Sequence, residues 1–223
     1  IGFGGGSSMD VAKLVSLVAK TGDSLDSMYG VNNAKGNRLK LILVPTTSGT
    51  GSEVTPISIV TTGENEKKGV VSPLLLPDIA LLDAELTLGL PSHITAATGI
   101  DAMVHAIEAY TGKIHKNEIS DAFAKKALHL LSQSIHTVCK DGKNIQAREN
   151  MLLGASLAGI AFANSPVAAV HALAYPIGAR HHVPHGLSNS LVLPSVVNFN
   201  KSYVGSQYAE LYDIVRPNAN ISS

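Results

Sequence analysis

Apolar positions near the start of the chain recur with the rhythm of a helix. In SMDVAKLVSLVAK, residues 8 to 20, Val11, Leu14, Val15 and Val18 fall at i, i+3, i+4 and i+7. Gly22 closes this helix, and Ser7 or Ser8 is placed to cap it. LKLILVP (39–45) and DIALLD (78–83) are short, unbroken apolar runs, the pattern of strands covered on both faces of a parallel sheet. Between them, VTPISIVTT (54–62) and KKGVVS (67–72) read as two strands joined by the polar turn GENEK. After Pro91 the period is helical over 92–111, 117–139, 143–164 and 166–175, with no strand between. The pattern therefore predicts an α/β part over 1–91 and an all-helical part over 92–223, punctuated by Gly89 and Pro91.

Both loops that follow buried strands are rich in glycine or hydroxyls. GFGGGSSMDVAK sets four glycines before a helix, where unobstructed backbone N–H groups and the positive end of the helix dipole suit a phosphate. TTSGTGSEVT (46–55) presents Thr46, Thr47 and Thr55 at the end of the LKLILVP strand, where α/β sheets place their ligands. Each loop alone is as readily a plain turn; together they suggest two sides of one nucleotide cleft.

Composition narrows the partners. Of 223 residues 45% are hydrophobic, enough for a real core, and 17 basic residues balance 17 acidic ones, which gives no reason to expect nucleic acid or an anionic membrane. One cysteine, Cys139, rules out an internal disulfide and fits a reducing compartment, so the cytoplasm is the expected location. No apolar run is long enough to span a bilayer, and no secretory signal is evident. IGFGGGSSMD reads as the end of a strand entering a turn, so an upstream part of the α/β unit is expected to be missing.

Candidate chemistry lies in the helical half. In GIDAMVHAIEAY, Asp101 and His105 stand one helical turn apart on one face. His171 sits among Ala and Val, where an unpaired imidazole is expensive to bury, and His185 lies between Pro184 and Gly186. Singly, each is more readily a hydrogen-bonded core or surface residue. Jointly, one carboxylate and three imidazoles suit Fe(II) or Zn(II), with a single anionic ligand leaving the site net positive.

GGGSSMDVAK, PTTSGTGSEVT, GIDAMVHAIEAYTG and HALAYPIGARHHVPHG resemble, in order and spacing, the motifs of the iron-containing (group III) alcohol dehydrogenases. The resemblance implies a dinucleotide-binding α/β domain, partial here, followed by a helical metal domain of dehydroquinate synthase-like architecture. It implies Asp101, His105, His171 and His185 as metal ligands, and Gly5, Gly6 and Ser7 as the pyrophosphate loop. Thr46, Thr47, Thr55 and Ile57 match further cofactor contacts, and Lys68 a lysine near the nucleotide. Asp10 belongs to the first motif, with helix-start bonding as its simplest role. Many relatives carry a second histidine four residues after the third ligand; this chain has Tyr175. Tyr175 and His181 are the candidates for handling the proton.

The implied activity is hydride transfer between a primary or secondary alcohol and NAD or NADP, assisted by Fe(II) with Zn(II) as the other option. Expected partners are a small alcohol or aldehyde and a second copy of the chain in a dimer. The competing readings are a zinc-dependent glycerol dehydrogenase or dehydroquinate synthase-like enzyme, and a non-catalytic fragment.

Overall fold

The computed structural model describes residues 1–63 and 66–216. Strands β1 (Gly2–Gly4), β3 (Ile42–Pro45) and β6 (Ile79–Ala80) form a parallel sheet with β3 in the middle. A second sheet orders β2 (Gly30–Val31), β5 (Glu66–Val71) and β4 (Ile57–Thr62), with β4 and β5 antiparallel and β2 parallel to β5. The turn joining β4 to β5 includes Glu64 and Asn65, which lie outside the described residues.

Helix α1 (Gly6–Thr21) serves both sheets. Met9 packs with Leu41 and Leu43, and a turn or two later Leu14 and Leu17 pack with Met28, Val70 and Leu75. The helix ends at Gly22, whose φ of 74° needs a residue without a Cβ penalty and whose N–H returns to Val18 O. It begins earlier than the apolar period indicates: Gly5 occupies the cap position, so Ser7 and Ser8 lie inside the first turn and neither caps it. The expectation for DIALLD is also corrected. Only Ile79 and Ala80 are strand, at the sheet edge, and Ile79, Leu81 and Leu82 are exposed. An apolar run reports only a tendency to be covered, and at this edge no described element covers it.

After Pro91 the described residues form only helices: α2 (Ser92–Thr111), α3 (Glu118–Lys140), α4 (Ile145–Asn164), α5 (Ala169–His181) and α6 (His185–Val215). Small residues let α2, α3 and α4 approach closely, with Ala102, Ala106, Ala109, Ala124, Ala127, Ala155 and Ala158 in one core beside Leu128, Leu131 and Met151. Asn117 starts α3 with a capping box, and the Asn144 side chain caps α4. Buried Arg148 on α4 donates to Thr95 Oγ1, Leu90 O and Gly142 O, fastening α4 to the start of α2. The segment α6 is two helical stretches meeting at a kink at Val204 (φ −128°, ψ 28°); it has no clean apolar period and contains Pro194, so the sequence pattern does not foretell it, and packing against α2 and α5 supplies what propensity does not. Pro184 just before its first turn is compatible with that start. Gly186 seats α6 on α2, since a Cβ there would run into the Ala97 carbonyl.

Two glycines join the α/β loop to the helices. Gly51, at φ 59°, lies so close to Gly159 of α4 that a Cβ on it would stand 2.6 Å from the Gly159 Cα. Among the described residues, no single helix is long and apolar enough to cross a membrane.

Candidate metal centre and cleft

Helix α2 places Asp101 and His105 one turn apart, with Glu108 three residues further, and all three are buried. His171 comes from the first turn of α5, also buried, and half-buried His185 is the first residue of α6. One potential ligand atom from each of Asp101, His105 and His171 lies within 4.8 Å of the others. His171 Nε2 and His185 Nε2 each stand 3.6 Å from Asp101 Oδ1. Two donors bound at about 2.0–2.2 Å to one tetrahedral ion stand roughly 3.4 Å apart, so these separations fit a shared cation. The His105 ring is stacked between Phe162 (4.4 Å) and His171 (4.6 Å), which fixes its plane.

Two residues that the sequence did not single out complete the centre. Glu108 accepts from His171 Nδ1 and from the Val170 N–H, both at 2.6 Å. With Nδ1 turned to a carboxylate, Nε2 is the atom left facing Asp101, an arrangement known to orient metal-ligating histidines. Asn189, one turn after His185 and fully buried, donates to Asp101 Oδ1 at 2.6 Å. Glu108 looks like an ordinary helix-surface acid in sequence; its three-residue offset from His105 was the available signal. The expected single-anion balance changes accordingly, because a second carboxylate stands directly behind His171.

The electrostatics follow from burial and these contacts. Burial opposes the charge on Asp101, but His105, His171 and His185 hold its carboxyl well below the ordinary range. Burial pushes His105 down to about 4, only partly offset by Asp101. His171 is lifted to about 9: burial works against its charge, while hydrogen bonds with Asp101 and Glu108 outweigh it. Burial lowers His185. His105 Nδ1 is a buried donor or acceptor without a hydrogen-bond partner among the described residues. An orphaned ring nitrogen inside a three-imidazole, one-carboxylate set fits Fe(II) or Zn(II) better than Mg(II) or Ca(II).

Above this cluster opens a cleft of about 330 Å³. Asp101, His105, His171 and His185 line one side; Gly6, Ser7, Thr55 and Ile57 line the other. Gly5 abuts Thr47, and the Thr46 N–H donates to Gly4 O, so both threonines tie the tips of β1 and β3 and neither lines the cleft. Thr50 and Ser52 of the same loop do. On β5 successive side chains face opposite ways. Lys67 reaches the cleft, 5.9 Å from the Tyr175 ring centroid, whereas Lys68 pairs with Glu66 and sits over Tyr29. Tyr175 lines the cleft and stacks on His185 with centroids 5.4 Å apart, while His181 is exposed at the end of α5 and outside it. Asp10 does more than start a helix: it lines the cleft and accepts from Ser52 Oγ and the Ile59 N–H, binding α1 to the second loop and to β4.

Taken together, fold and site place a carboxylate and three imidazoles, a set that could hold a divalent cation, on a cleft also lined by glycine and hydroxyl residues. Comparison with known proteins is more specific. Residues 1–84 match the family described as iron-containing alcohol dehydrogenase, and residues 95–222 match the C-terminal region of the Fe-containing alcohol dehydrogenase family. The chain belongs to the iron-containing alcohol dehydrogenase family. It is 41% identical to long-chain-alcohol dehydrogenase 1 of Geobacillus thermodenitrificans over 100% of its own length and 57% of that protein. It superposes on the alcohol dehydrogenase from Oenococcus oeni with a TM-score of 0.94 at 36% identity, covering 99% of this chain and 58% of that one. A sulfoacetaldehyde reductase from Bifidobacterium kashiwanohense, solved with NAD+, matches 89% of this chain and 53% of its own at 35% identity and a TM-score of 0.83. The chain thus spans little more than half the length of the relatives it matches.

Proposed function

We propose that this chain carries the metal centre and part of the nicotinamide cleft of an alcohol dehydrogenase. The reaction is reversible hydride transfer between a primary or secondary alcohol and NAD or NADP. The observation that carries the reading is the convergence of Asp101, His105, His171 and His185 at the floor of a cleft whose opposite wall holds Gly6, Ser7 and Thr55. Family membership and the NAD+ complex of a relative support the same reading. We take Fe(II) as the preferred ion on the family's description, with Zn(II) permitted by the donor set. The names of the relatives favour this enzyme over the glycerol dehydrogenase or dehydroquinate synthase-like reading.

When bound, the cation supplies Lewis acidity to a substrate oxygen and the nicotinamide carries the hydride. The chain's own residues prepare the cleft for both. Asp101, held ionised, supplies the one charged donor, and Glu108 keeps His171 Nε2 turned toward it. Ile57, Phe162 and Val167 line the space and keep water from the reacting atoms. The free amides at the start of α1, around Gly6 and Ser7, suit a pyrophosphate, and Lys67 adds a cation on the same cleft. Burial raises the Tyr175 phenol, with Asp101 and Glu108 adding to the effect, so at neutral pH it keeps its proton. It therefore offers a hydrogen bond to a substrate rather than acting as a base, and of the two proton-handling candidates it alone lines the cleft.

Equilibrium dialysis of the purified chain against Fe(II) and Zn(II), with elemental analysis, tests the reading. One bound ion per chain is expected, and no uptake of either ion would refute it.

A further inference from the structure

Asn189 is fully buried, yet its amide oxygen has no hydrogen-bond partner among the described residues. An amide in this position costs stability unless it is needed, because a buried polar atom left unpaired forfeits its hydration. Its nitrogen is engaged: Nδ2 donates to Asp101 Oδ1 at 2.6 Å and lies 3.3 Å from His171 Nε2, the ring nitrogen that Glu108 turns toward Asp101 by taking the Nδ1–H. Asn189 thus anchors the carboxylate oxygen that faces the His171 ring from 3.6 Å. Helix α6 delivers Asn189 there from the turn following His185, and Gly186 lets that helix close onto α2.

We propose that Asn189 is a positioning residue of the metal centre, setting the orientation of Asp101, and with it the spacing from His171, through the amide hydrogen bond to the Asp101 carboxylate. The proposal rests on the metal-binding reading above. The same oxygen also stands 3.6 Å from His185 Nε2, so the amide bond holds Asp101 Oδ1 facing both imidazoles. Partners of this kind, which touch the ligands and not the ion, are worth roughly 10- to 100-fold in metal affinity.

The test uses the whole 223-residue chain with Zn(II) and, as an optical probe, Co(II). Asn189→Leu removes the amide donor at similar volume. It is expected to bind Zn(II) about 10- to 100-fold more weakly in chelator competition and to shift the visible Co(II) bands. The thermal midpoint of the metal-free chain should stay near that of the unaltered chain, since the substitution also removes an unsatisfied oxygen. If Asn189→Leu does not fold, Asn189→Ala is read the same way. Unchanged Zn(II) affinity and Co(II) spectrum in either folded variant overturn the proposal. So does a lowered metal-free midpoint with unaltered affinity, the mark of a merely structural amide. Failure of the unaltered chain to bind metal would refute the metal centre itself and this proposal with it, a result distinguishable because no substitution is involved.

Discussion

Single side chains decide which parts of the cleft were readable in advance. Asp101, His105 and His171 stand out as polar groups in apolar stretches and His185 by its place between Pro184 and Gly186, and the fold brings the four together. Glu108 is told from a surface acid only by its offset from His105, and Asn189 not at all, since their value lies in what they touch across the fold. The choice between Lys67 and Lys68 turns on strand register, where one step reverses the face. Lys67→Ala is therefore expected to weaken NADH binding about tenfold or more, the loss typical of a charged hydrogen bond, while Lys68→Ala leaves it unchanged. Fluorescence titration with NADH measures both. His185→Ala should leave the chain folded, since the residue is half-buried and begins a helix that Pro184 still starts. Its metal dissociation constant should rise by more than about 100-fold in chelator competition, beyond the loss of a partner outside the ligand set.

Most whole elements of the helical half were legible as apolar-rich stretches between Gly, Pro and Asn breaks. The four helical periods after Pro91 correspond to α2, α3, α4 and α5, although α5 continues through Pro176 to His181. Helix α6 was not legible: its start is set by the fit of Gly186 against α2, a contact between residues almost ninety positions apart. That fit is testable. Gly186→Ala forces a methyl into the Ala97 carbonyl, so it should cost about 1–3 kcal/mol, as overpacking does, measured by urea unfolding. Because His185 and Asn189 ride on the same helical turns, the variant should also lose metal affinity, unlike a surface glycine such as Gly205, which has open space around it.

At the scale of the molecule, the change of period near Pro91 reveals two kinds of architecture but not how they meet. The meeting depends on buried polar groups that the sequence presents as ordinary. Lys13 of α1 is fully buried and donates to Ile57 O at 2.7 Å and to Thr55 Oγ1, with Asp10 3.7 Å away. Burial lowers it to about 8 from an ordinary 10.5, with Asp10 and Glu53 partly restoring it. Between those pH values the unfolded chain binds more protons than the folded one, so this group makes stability rise with pH from about 8 to 10.5 and has no slope below. Urea midpoints across that range should show the rise in the unaltered chain and lose it in Lys13→Met. Next to this network, Gly51 and Gly159 touch backbone to backbone, with Thr50 and Ser52 of the cleft wall on either side of Gly51. The distance between helix α4 and the loop that carries Thr50 and Ser52 is consequently gauged by two missing methyl groups. A wedge at position 159 would push that loop away from the helix without altering any of the four ligand candidates.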